Sequence, residues 1–69
     1  MAPSDPGPQL SSMATALDDL AARLTALAEA STGTDDDWMA RELFEVERSL
    51  GEARRRLAKV TATLGRRRR

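Results

Sequence analysis

"LSSMATALDDLAARLTAL", residues 10–27, is the stretch on which the fold turns. Its large apolar residues, Leu10, Met13, Leu17, Leu20, Leu24 and Leu27, recur at spacings of three and four. A strand would alternate every second residue, whereas this period belongs to an amphipathic helix with a coiled-coil seam. With Leu10, Leu17 and Leu24 at heptad position a, Met13, Leu20 and Leu27 take position d. Alanine, serine, threonine and the Asp18/Asp19 pair fill the other positions and suit an outer face, where Asp19 and Arg23 are spaced for a weak i,i+4 pair.

Following the chain forward, "STGT" at 31–34 breaks the period. Gly33 suits a helix stop, because a residue without Cβ turns the chain at no steric cost. Thr34 then stands as an N-cap with Asp37 three residues on, the acidic form of a capping box. Asp35, Asp36 and Asp37 fall in the first turn of a second helix, where carboxylates complement the positive helix end. Calcium binding is the competing reading of three aspartates, but the alternating ligand spacing and distal glutamate of a calcium loop are missing.

The second apolar series is Met39, Leu43, Val46, Leu50, Ala53, Leu57, Val60 and Leu64, again at spacings of four and three. Leu43, Leu50, Leu57 and Leu64 take a; Met39, Val46, Ala53 and Val60 take d. Gly51 falls outside the seam, and Gly65 is expected to end the helix. A turn this short makes the two helices antiparallel. Letting a face d gives six layers, from Leu27/Leu43 through Leu20/Leu50 to Leu10/Val60, whose residue numbers each total 70. In this register residues from about Thr61 onward overhang the first helix.

The expected fold is therefore all-α, a two-helix antiparallel coiled-coil hairpin. Residues 1–9, with all three prolines, read as a disordered arm. Residues 10–65 form the hairpin, with helices at about 10–31 and 35–64 around a turn at 32–34, and 66–69 form a basic tail. MAPSDPGPQ lacks the basic and apolar regions of a signal peptide, and no apolar run reaches membrane-spanning length. A cytoplasmic location is the expectation.

No enzyme is expected. The chain contains neither cysteine nor histidine, which removes disulfides, thiolate nucleophiles, the usual general base and the commonest metal ligands. Its serine and threonine hydroxyls have no base to activate them. Neither cofactor, metal nor small-molecule substrate is implied.

Two helices of this size form a thin core, which directs attention to a second contact surface. Ala14, Ala21 and Ala28 recur every seven residues at position e and are expected to face a second copy, making a homodimer with a four-helix bundle. Alanine's helix propensity alone is the alternative. Trp38 and Phe44, the only aromatics, lie off the seam. Trp38 is expected to fold over the loop end, and the two aromatics together to mark a protein-interface patch.

Charge is sharply divided. Residues 1–52 hold all 11 acids and three bases, a net of −8, and residues 53–69 hold eight bases and no acid. Arg54, Arg55, Arg56, Lys59, Arg66, Arg67, Arg68 and Arg69 form an arginine-rich end suited to an anionic partner, since guanidinium groups bind phosphate or carboxylate in a bidentate manner. Solvation of the helix terminus, nucleic acid and an acidic protein surface remain alternatives. The functional expectation is a small helical interaction and oligomerisation module with a basic tip. The alternative is a nucleic-acid accessory protein tethered non-specifically to phosphate.

Overall fold

The computed structural model describes residues 5–68. It is an all-helical hairpin in which α1, Pro6–Ser31, is followed by α2, Asp37–Arg67, with no strand among the described residues. The two helices lie side by side in a rod of 53 × 21 × 13 Å.

α1 begins earlier than its leucine period suggests. Asp5 caps it, its Oδ1 accepting the Gly7 N–H at 2.9 Å, and Pro6 opens the first turn. Proline is tolerated there because a first-turn N–H has no helical partner to lose. Residues 6–9 of the expected disordered arm are thus helix; residues 1–4 lie outside the described residues.

The turn is held by the polar side chains of its own sequence. Ser31 and Thr32 hydroxyls donate to the Leu27 and Ala28 carbonyls at 2.9 and 2.8 Å, and the Thr32 N–H also reaches Ala28. Gly33 takes φ +78°, the left-handed conformation its lack of Cβ permits. The expected capping box does not form: Asp36, not Thr34, is the N-cap of α2 and it makes no side-chain cap bond, while Thr34 and Asp37 brace the turn. Thr34 Oγ1 accepts the Asp36 N–H at 3.1 Å, while the Asp37 carboxylate reaches past Thr34 to accept the Gly33 N–H at 2.7 Å. A further turn over 34–37 delays the start of α2 to Asp37.

Gly65 does not end α2. The helix runs through it to Arg67, and Arg68 closes it in a right-handed conformation. Nor does α2 overhang: Arg68 Nη1 donates to Asp5 Oδ1 at 2.6 Å, so both helices finish together at the open end. Halfway along, Arg54 Nε donates to Asp18 Oδ1 at 2.7 Å. The residue numbers tied together across the rod total 73 and 72, which displaces the pairing from the expected register.

The displacement accompanies a rotation of both helices. Among the described residues the buried apolar ones are Ala21, Ala28 and Ala40, with Ser31 beside them, and no large side chain there is fully buried. Ala21, Ala28 and Ala40 occupy position e, and the a-position leucines beside them are half-buried. The hairpin therefore closes along a and e, and a does not face d. Small e residues let two helix backbones approach closely, while the leucines flank the contact.

Two glycines test this backbone description. A Cβ on Gly51 would meet only Arg55 Nη1, at 3.6 Å, whereas Gly33 has its positive φ. Gly51→Ala should stabilise the fold by about 0.5–1 kcal/mol. Gly33→Ala should destabilise it by about 1 kcal/mol. Thermal melts at matched protein concentration report both.

Candidate interaction surface

Around each helix the d, a and e rows are neighbours, spanning roughly 100° of arc. One facing helix covers only part of that arc. Because the hairpin closes on a and e, the d rows are left open. Met13, Leu20, Leu27, Val46 and Val60 are 42–52% exposed, although each belongs to a regular apolar series.

These residues lie on one broad face. Met13, Leu17 and Leu20 of α1 line an apolar groove with Ala53, Leu57 and Val60 of α2. Leu20, Leu24 and Leu27 continue the surface towards the turn, with Arg23 at its rim. Arg56 edges the groove at the other end. The opposite broad face is polar, with Ala14, Asp18, Gly51, Arg54 and Ala58 around the Asp18–Arg54 ion pair.

Several expected contact residues change place as a result. Ala21 and Ala28, assigned from sequence to an outer dimer face, are buried inside the hairpin, and Ala14 is half-buried in the same row. The apolar face offered outward is the d row, which the sequence pattern had placed in the core. Trp38 is 62% exposed and does not cap the turn. Phe44 is also exposed, but six helical positions turn it roughly 120° from Trp38, so the two aromatics do not form one patch.

The basic end is partly used within the chain. Arg54 is half-buried on Asp18, Arg68 is tied to Asp5, and Arg56 lies 3.6 Å from Glu52 one turn earlier. Arg66 Nη2 donates to Thr63 Oγ1 at 3.2 Å. Arg55, Lys59 and Arg67 are exposed and make no ion pair among the described residues. Arg55, Lys59 and Arg66 share one strip on the back of α2, since spacings of four and seven return to the same helix side. Arg69 lies outside the described residues.

At the turn end the charge is reversed. Asp35 and Asp36 are exposed, while Asp37 is held by Gly33 and lies 3.7 Å from Arg41. No three potential metal-ligating side chains converge among the described residues, and no helix there is long and apolar enough to cross a membrane.

Fold and surface together define a helical hairpin with one open apolar face and oppositely charged ends. No family model, curated protein or solved structure matches the chain, so its function has to be argued from this surface.

The tie between Asp5 and Arg68 makes a separable prediction. Asp5→Ala removes both the cap and the ion pair and should lower stability by about 1 kcal/mol. Asp5→Asn keeps a good capping group and loses only an exposed ion pair, so it should cost no more than a few tenths of a kcal/mol. Chemical denaturation of the two variants beside the parent distinguishes them.

Proposed function

We propose that this protein is a non-enzymatic cytoplasmic interaction module that self-associates, two hairpins joining through their d-row faces into a four-helix bundle. One observation carries the reading. The hairpin leaves Val46 and Val60 about half exposed, yet half-buries Glu47 and Arg54 one row away on the same helix. For a solitary hairpin this rotation is unfavourable, because turning towards d would bury more apolar surface. It becomes favourable when a second copy covers the d rows.

Surface area supports the same conclusion. The chain exposes 5460 Å². A compact monomer of its 7.5 kDa mass exposes about 4,200 Å². The apolar groove lies on the broad side of the rod, 53 by 21 Å, which accommodates the roughly 800 Å² per partner typical of a stable interface.

The exposed remainder of the arginine-rich end, Arg55, Lys59, Arg66 and Arg67, is proposed to meet an anionic protein surface. Tethering to nucleic acid is less well supported, because Arg54 and Arg68 are already neutralised by Asp18 and Asp5.

Sedimentation equilibrium tests the assembly. The parent should approach twice 7.5 kDa as loading rises. Leu20→Glu should weaken association at least about tenfold, since it places a charge in the interface centre. Leu50→Asp, on the a row inside the hairpin, should instead abolish the helical circular dichroism signal. A parent that remains a folded monomer at every loading would refute self-association.

A further inference from the structure

Folding redistributes the charge that the sequence separates. α1 brings Asp5 back to the open end of the rod, beside Arg68, and Asp18 back to its middle, beside Arg54. The open half of the described residues, 5–19 with 54–68, holds seven bases and three acids, a net of +4. The turn half, residues 20–53, holds three bases and eight acids, a net of −5. The hairpin is thus an electric dipole along a 53 Å axis, with its apolar face running the length between the poles.

We infer that the two copies join antiparallel, the basic open end of each lying over the acidic turn end of the other. The inference rests on the self-association proposed above and adds the orientation and its cause. Two twofold arrangements bury the d rows, one with both turns at the same end and one with the turns at opposite ends. Packing does not choose between them, because the d rows match either way. Leu20 and Ala53 lie near the midpoints of α1 and α2, with Met13 and Leu27 seven residues to either side of one and Val46 and Val60 seven to either side of the other. A twofold axis through this central layer therefore superposes the rods over their full length, as a self-complementary interface requires.

Charge does choose. Helices packed across an interface lie 8–10 Å apart, close to the Debye length of about 8 Å at physiological salt. The two poles of one rod are several Debye lengths apart and barely sense each other. Across the interface they act directly. The parallel arrangement sets +4 on +4 and −5 on −5, whereas the antiparallel one pairs opposites at both ends. The turn end of a second copy, around Asp35, Asp36 and Glu42, then lies towards Arg56 at the groove edge and the exposed Arg67, seven residues beyond Val60 on the d row.

The absence of cysteine makes the test direct. An Asp35→Cys variant, spin-labelled at the exposed turn, should give an intradimer distance approaching the 53 Å rod length by pulsed dipolar spectroscopy. A distance below roughly 20 Å, two helix diameters, would mean parallel hairpins and overturn the inference while leaving the dimer intact. The parent's dimer association constant should fall at least about fivefold between 50 and 500 mM NaCl. A long distance with no such salt dependence would overturn charge as the cause. A monomer at all loadings removes self-association and this orientation together. A monomer that binds duplex DNA at low salt would in addition assign the arginines to phosphate.

Discussion

The close approach of α1 and α2 along Ala14, Ala21 and Ala28 is the constraint from which the rest of the molecule follows. An alanine row brings two helix axes nearer than leucines allow, and helices brought near on one row must turn others away. The rows turned away here are the d positions. Two leucines, two valines and a methionine are thereby left about half exposed along one face. The monomer's fully formed core consists of little more than three alanines. A small helical domain with so thin a core gains most of its further stability by burying a second apolar surface.

The charged groups are arranged around the same geometry. Arg54 and Asp18 pair on the polar broad face, and Arg68 and Asp5 pair at the open end, so cross-helix ion pairs anchor the rod at two levels. Both pairs are largely exposed, so each contributes little to stability. Their greater effect is on alignment: they fix the register at mid-rod and hold the helix ends flush. Among the described residues the d-row face carries no ion pair between helices, which leaves its apolar groove uninterrupted.

Much of the architecture was legible in the residues alone. The alternation of three and four from Leu10 to Leu64, interrupted by the turn sequence, implied two antiparallel helices. The turn at Gly33 also followed from local chemistry, whereas Thr34 and Asp37 brace the turn and the N-cap falls on Asp36, two residues later than expected. The start of α1 was missed, yet Asp5-Pro6 is a recognisable cap and first-turn pair. Gly65 misled in the opposite direction: its permissive backbone allows a helix end without requiring one, and α2 continues to the arginines.

The local sequence determined that two amphipathic helices form and where the chain reverses, because periodicity, capping and glycine conformation act within a few residues. It could not determine which part of a wide apolar arc turns inward. The d, a and e rows of α1 are all apolar, and any adjacent pair of them makes a plausible seam. That choice belongs to the tertiary structure, where the burial of Ala21, Ala28 and Ala40 and the partnering of Arg54 and Arg68 are settled together. The same rotation that buried the expected dimer face made the expected core into the exposed surface.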